Sequence, residues 1–318
     1  MKLIRYLSDT KHAFNDCVLT IGNFDGVHSG HRMVLGVLVE QAKSLNLAAA
    51  VMCFEPQPIE YFRGEDAPAR ISTARDKIEQ LRQAGVDTLY LVRFNVALAN
   101  MSAEQFVYML YDQLHVKHLI VGDDFCFGKN RQGNFEYLQK AGAQQGFRVQ
   151  RADTFLIDGE RVSSTLIRTA LASGELTKAA YYLGRHFRFS GRVMHGHKRG
   201  RELGFPTANI CVKNRKSPLS GVFAVTIVPE SGLVYEGVAN IGTRPSIGDA
   251  TRVLLEAHLF DFSGDLYGQR VRVSLYKKLR DEKKFESLER LKQQISMDSK
   301  QAKIYFNQTQ SSRERHGL

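Results

Sequence analysis

The hydrophobic rhythm of the chain changes once, near residue 185. Before that point, short apolar runs alternate with amphipathic stretches. The runs at 18–21, 48–54, 88–92 and 119–121 are apolar and bounded by turn residues, which predicts buried strands. Between and after them, 32–45, 74–84, 103–114 and 135–145 carry apolar residues at helical spacing. Strand–helix alternation predicts an α/β domain with a Rossmann-like parallel sheet covered on both faces. Ligands of such sheets bind beyond the carboxyl ends of the strands. After residue 185, runs rich in β-branched residues at 188–194, 222–228, 233–241, 254–262 and 269–279 follow one another across turns such as Ser263-Gly264-Asp265. That texture predicts an antiparallel barrel or sandwich. A last amphipathic helix is expected over 287–306, with the polar residues 307–318 frayed beyond it. A helical segment around 178–183 is expected to join the halves, dividing the chain into 1–184 and 185–318.

Charge sharpens that division. Residues 1–184 hold 20 Lys and Arg against 20 Asp and Glu, whereas 185–318 hold the whole net surplus of +11. A basic half suits nucleic acid, a nucleoside polyphosphate, or simply a solvated surface. A hydrophobic fraction of 43% over 318 residues is that of a globular chain of two domains. No apolar run approaches the ~18–20 residues of a membrane span, and Met1-Lys2-Leu3-Ile4-Arg5 lacks the features of a signal peptide. Cys17, Cys53, Cys126 and Cys211 lack C-x-x-C spacing, which argues against a zinc cluster and suits a reducing cytoplasm.

The richest stretch is Thr20-Ile21-Gly22-Asn23-Phe24-Asp25-Gly26-Val27-His28-Ser29-Gly30-His31. A strand ends at Gly22, the chain turns through Asp25-Gly26, and a helix is expected to begin near Ser29. His28 and His31 then sit where unpaired helix N–H groups favour an anion. Their imidazoles add donors for phosphate oxygens, and Gly30 leaves room for a ligand. Taken alone, H-x-x-H is also a capped turn with two surface histidines. Gly122-Asp123-Asp124-Phe125-Cys126-Phe127-Gly128 is either an acidic turn with buried phenylalanines or a rim for a flat ring, with Asp124 near a metal or a polar edge. Ser163-Ser164-Thr165-Leu166-Ile167-Arg168 reads first as a helix N-cap, and alternatively as a second phosphate-binding helix end with Arg161 and Arg168 supplying guanidinium forks; the two readings are compatible.

In the basic half, Gly196-His197-Lys198-Arg199-Gly200-Arg201 is a glycine loop able to lie close to phosphates. It is not a Walker A loop, and a glycine-rich hairpin with a polar pair is the commoner fate of such a stretch. Thr207 and Asn209 in Pro206-Thr207-Ala208-Asn209 face one way if extended, and offer hard oxygens to Mg²⁺ on a nucleotide. Glu256 lies inside an apolar run, either as an edge residue or as a base for a hydroxyl nucleophile, with His258 on its face.

The ordered set of these motifs, with Phe54-Glu55-Pro56, Gly237-Val238-Ala239-Asn240-Ile241-Gly242-Thr243-Arg244-Pro245 and Leu255-Glu256-Ala257-His258, resembles the bacterial bifunctional flavin kinase/adenylyltransferases from Thr20 to about Phe306. The resemblance implies a nucleotidyltransferase domain followed by a flavokinase barrel. It implies riboflavin, FMN and ATP as substrates, FMN and FAD as products, and Mg²⁺ with the ATP. In the first domain, Gly22, Phe24, Asp25, His28, Gly30, His31, Arg161, Ser164, Thr165 and Arg168 would bind ATP, with His28 and His31 catalytic. Asp124, Phe125 and Phe127 would bind the flavin. In the second, Gly196, Lys198, Gly200, Arg201 and Thr207 would bind ATP, Thr207 and Asn209 would hold Mg²⁺, and Glu256 would be the catalytic base. Gln57, where the family usually has histidine, and Cys126, where arginine or threonine is common, depart from the pattern. No nucleic acid and no membrane partner are implied, and a homo-oligomer is left open. An RNA-binding barrel would need exposed aromatics among the basic residues, and Lys277, Lys278, Arg280, Lys283 and Lys284 have few nearby. A flavin-storage module would have no use for H-x-G-H.

Overall fold

The computed structural model describes residues 1–5, 16–195, 207–212, 216–244 and 252–315. The chain forms two compact units, Met1–Pro68 with Ala74–Ser163, and Ala69–Thr73 with Ser164–Leu318.

The first unit is built on a six-stranded sheet of β1 (Lys2–Ile4), β2 (Cys17–Ile21), β3 (Ala48–Phe54), β4 (Thr88–Val92), β5 (Val116–Val121) and β6 (Arg148–Arg151). Their spatial order is β1-β4-β3-β2-β5-β6, and every pairing is parallel. The central strands alternate between two apolar clusters. Leu19, Met52, Tyr90 and Val121 face one way, and Val18, Val51, Leu91 and Ile120 the other. Helices α1 (Ser29–Ser44), α2 (Pro58–Arg63), α3 (Ala74–Gln83), α4 (Val96–Ala99), α5 (Ala103–Tyr108) and α6 (Phe135–Gln145) complete the α/β pattern, with a π turn at Met109–Gln113. Leu35, Leu38 and Leu81 of α1 and α3 cover one face, while Phe106, Phe135 and Leu138 of α5 and α6 cover the other. The predicted strands are all present. The added β1 and β6 are edge strands, one of three residues and one reading Arg-Val-Gln-Arg, so neither shows an apolar run. Strand order reverses about β2, which has β3 on one side and β5 on the other. A crevice therefore opens at the carboxyl ends of β2 and β5. A short hairpin, β7 (Leu156–Ile157) and β8 (Glu160–Arg161), ends the unit.

In the second unit, α7 (Ser164–Ala172) and α8 (Leu176–Leu183) precede β9 (Arg188–Met194), β10 (Thr207–Cys211), β11 (Gly221–Val228), β12 (Tyr235–Arg244), β13 (Arg252–Leu259) and β14 (Arg270–Arg280). These strands close an antiparallel barrel in the order β10-β13-β12-β11-β14-β9. Closure leaves no open sheet edge. Helix α9 (Leu288–Arg315) lies over the outside, where Ala302 and Phe306 pack with Ala224, Val238 and Phe260. It runs past the predicted end at 306. The residues beyond are polar but include no Gly or Pro before 315, and polarity alone does not break a helix. Arg280 forks onto the buried Asp298 at 2.9–3.1 Å, and Gln294 donates to the same carboxylate at 2.9 Å, fixing the end of β14 to α9.

Candidate active sites

The first candidate site grows from the end of β2. All five residues of that strand are buried, so the turn after it starts from a fixed point. Phe24, Gly26 and Val27 all have positive φ, of 45°, 84° and 40°, which folds the turn tightly. His28 is the N-cap of α1, and its Nδ1 accepts a hydrogen bond from the His31 backbone N–H at 3.3 Å. In a neutral His28 ring the proton is therefore on Nε2. The His28 and His31 rings stack at 3.6 Å with planes 21° apart, and Phe24 lies 4.9 Å from His31. His28 and Asp25 are buried. A Cβ on Gly30 would stand 3.3 Å from His28 Nδ1 and 3.5 Å from Phe155, so the missing side chain lets both approach the first turn. Gly22 similarly lies under the Phe24 ring.

The turn after β5 opens at the same carboxyl edge, since β2 and β5 pair directly. There Arg161 forks onto Asp123 at 2.9 and 3.3 Å, with Asp124 3.8 Å away. This pair is about half exposed and adds little stability, about 0–1 kcal/mol. Its effect is to hold the guanidinium in place. Phe125 is half-buried, but Phe127 belongs to the core, 4.9 Å from Phe106 and 5.9 Å from Tyr137. A partly exposed aromatic group, Tyr61, Phe62 and Phe94, lies beyond β3 and β4, with ring centroids 5.2–5.7 Å apart.

The second candidate site is a matter of strand register. Glu256 of β13 pairs with Asn209 of β10 on one side and Asn240 of β12 on the other. His258, two residues on, pairs with Thr207 and Val238. Directly opposed residues project to the same face of a sheet. Glu256 therefore stands between two amides, with Thr207 and His258 one row away. Val253, Leu255 and Ala257 alternate with this row and are buried, so the Glu256 row is on the outer side of the barrel wall. Among the described residues, none makes a hydrogen bond or ion pair to the Glu256 carboxylate. Beside Thr207 a cavity of about 100 Å³ is lined by Val193, Leu259, Phe262, Leu266 and Tyr267, and His195 stacks on Tyr267 at 4.0 Å. Among the described residues there is no cluster of three or more His, Cys, Asp or Glu that could hold a metal. The Thr207 hydroxyl and Asn209 amide nevertheless fit Mg²⁺ that arrives with nucleotide phosphates, because that ion takes few protein oxygens.

Two family models match the chain in order. One, described as FAD synthetase, covers residues 10–166, and the other, described as riboflavin kinase, covers 183–306. The bifunctional riboflavin kinase/FMN adenylyltransferase of Haemophilus influenzae is 48% identical over 308 residues, 96% of this chain and 100% of that protein. The chain belongs to this family. The Escherichia coli K12 member is 47% identical over 97% of this chain and 99% of its own. A solved structure described as a macrolide-efflux protein from Streptococcus pneumoniae superimposes with a TM-score of 0.79 at 29% identity, covering 93% of this chain and 96% of that one. In this bifunctional kinase/adenylyltransferase, no helix among the described residues is long and apolar enough to cross a membrane.

Membership of the bifunctional family gives the placement of the remaining residues its context. Gly22, Phe24, Asp25, His28, Gly30 and His31 form one turn, and Asp124, Phe125 and Arg161 lie in the first unit with them. Ser164 and Thr165 open α7 in the second unit, where the Arg168 Nε donates to the Ala69 carbonyl at 2.7 Å. Thr207, Asn209 and Glu256 share the barrel wall. Gly196, Lys198, Gly200 and Arg201 lie outside the described residues. Gln57 is buried at the start of α2, where its N–H donates to Glu60 at 2.8 Å, and Cys126 is half-buried. Two further residues, Asp123 and Asn240, take part in these arrangements. Asp123 carried a visible signal, a carboxylate beside Asp124. Asn240 shows its place only through the pairing of β12 with β13.

Proposed function

We propose that the barrel unit transfers the γ-phosphoryl group of ATP to the ribityl terminal hydroxyl of riboflavin, and that the first unit then joins FMN to AMP from a second ATP. The observation that carries the kinase assignment is the Glu256 carboxylate, set between Asn209 and Asn240 with no partner among the described residues. Glu256 accepts the hydroxyl proton as the oxygen bonds to the γ-phosphorus and ADP departs. Asn209 and Thr207 orient the nucleotide phosphates and would hold their Mg²⁺, which when bound neutralises charge on the phosphate oxygens. The cavity beside Thr207 takes the flat base, with Tyr267 as one wall.

In the first unit, a phosphate oxygen of FMN bonds to the α-phosphorus of ATP and pyrophosphate departs. No protein nucleophile is needed, so positioning and charge stabilisation carry the step. The α1 N-terminus and the Nε2–H of His28 serve the phosphate oxygens, and His31 is held against His28 by stacking. Arg161, released from Asp123, serves the same charge. Phe125 faces the flavin ring, and Phe127 supports Phe125 from the core 5.8 Å away. The first turn of α7, with Ser164 and Thr165, has the donor chemistry of a phosphate site. The use of ATP and four free cysteines suits the cytoplasm.

The test is a time course with riboflavin, ATP and Mg²⁺, separating the flavins by chromatography. FMN appears first and FAD follows. FMN that never proceeds to FAD contradicts the first-unit assignment. FAD from added FMN but none from riboflavin contradicts the barrel assignment.

A further inference from the structure

The amide of Asn240 is not idle. Its Nδ2 donates to Glu282 Oε1 at 3.2 Å. Glu282 can only accept when ionised, so this bond fixes which end of the amide faces which way. The backbone that carries this exposed carboxylate follows directly on a fixed strand end. It lies two residues beyond Arg280, which forks onto Asp298 and also donates to the Asp281 carbonyl at 2.9 Å. It also lies over Gly242, whose missing side chain leaves the Glu282 carboxylate room at that position. Asn240 is directly opposite Glu256, with Cβ atoms on one face about 4.5–5.5 Å apart. Asn209 occupies the other flank, on the side assigned to phosphate.

We propose that Asn240, held by Glu282, is a positioning residue for the ribityl chain of riboflavin. This rests on the reading of Glu256 as the kinase base. A polyol has adjacent hydroxyls, each both donor and acceptor. The orientation set by Glu282 leaves Asn240 one N–H and its Oδ1 to meet them, one on each of two neighbouring hydroxyls. The terminal oxygen is then delivered to Glu256 from the side opposite Asn209. The arrangement selects a flavin with a hydroxylated side chain over one with a plain alkyl alcohol, by leaving polar groups that the bound chain would cover unmatched in the second case.

The test compares kinase kcat/KM for riboflavin with that for a flavin bearing an unbranched hydroxypentyl chain, which keeps only the terminal hydroxyl. The full-length protein is used, and turnover of the hydroxypentyl flavin together with circular dichroism of the same variants serves as the control for folding of the barrel. Asn240→Ala is expected to lower kcat/KM for riboflavin about tenfold, the worth of one or two neutral hydrogen bonds, and to change the analogue less than about twofold. Glu282→Ala follows Asn240→Ala, whereas Glu282→Gln, which keeps an acceptor oxygen, stays within about twofold of the parent. An equal loss on both substrates, or a Glu282→Gln variant as poor as Glu282→Ala, overturns the proposal. Glu256→Gln separates the two claims. Full kinase activity in that variant overturns the reading of the site and this inference with it. A dead Glu256→Gln beside an Asn240→Ala variant that treats both substrates alike overturns the inference alone.

Discussion

The two sites are assembled by different means. In the first unit, the residues at the His28 turn lie within ten positions of one another, and one strand end, one cap and one helix N-terminus place them. In the barrel, Asn209, Asn240 and Glu256 come from three strands and meet only because β10, β13 and β12 pair in one register. A local turn site is written in consecutive residues and tolerates change elsewhere. A register site depends on the closure of the whole sheet. A single-residue slip would move Glu256 to the opposite face.

The strongest way to break the comparison is at the reacting groups. Glu256→Gln keeps the shape of the wall but removes the proposed base, and is expected to lower FMN formation by about 10²–10⁴-fold while FAD formation from FMN stays near the parent rate. A comparable loss in both reactions would show that the barrel residue serves both sites. Next is the anchor of the register site. Asp298→Ala leaves Arg280 partly buried without its carboxylate, and is expected to cost about 3–5 kcal/mol in the denaturant unfolding of the barrel. Equilibrium unfolding followed by circular dichroism reads this directly. A midpoint unchanged from the parent would show that the α9 clamp is not structural.

Smaller effects probe the turn site. Gly30→Ala places a methyl 3.3 Å from His28 Nδ1, so the ring must shift. FAD formation is expected to fall about tenfold with FMN formation unaffected, because misplacing a positioned group is costly even without removing it. Asp123→Asn loosens the fork on Arg161. It should change stability by less than about 1 kcal/mol and lower KM for ATP in the adenylylation step by up to about fivefold. Last is thiol reactivity. Burial pushes Cys53 up to about 11 and Cys17 up to about 12. At pH 8 both are thiols inside the core and resist alkylation, whereas exposed Cys211 reacts first. Mass spectrometry of the labelled protein checks the order.

The same contrast explains what could be read from the residues alone. Strands 48–54 and 88–92 and helix 135–145 agree with the structure because their apolar patterns are long and bounded by turns. The His28 turn was legible because all of its chemistry is local. Five of the six barrel strands are legible as strands, while β10 is a five-residue strand with polar Thr207 and Asn209 and no apolar run; nothing in one strand states which residue lies across from it, so Asn240 and Glu282 carry no mark in the sequence. Phe127 shows the opposite limit. As a residue two from Phe125 it looks like part of an aromatic rim, yet it is packed against Phe106 and under Gly133, inside the core. Arg161 reads in the sequence as a phosphate ligand, and its fork onto Asp123 depends on the β7–β8 hairpin reaching a turn 38 positions earlier in the chain.

The proposed division of labour gives each of the two reactions to one unit. The most direct test mixes two variants that each lack one step, His28→Ala and Glu256→Gln, and supplies riboflavin, ATP and Mg²⁺. The account predicts that His28→Ala alone stops at FMN, that Glu256→Gln alone makes no FMN, and that the mixture makes FMN first and then FAD. A mixture that yields no FAD, while each variant retains its own half-reaction, would contradict it.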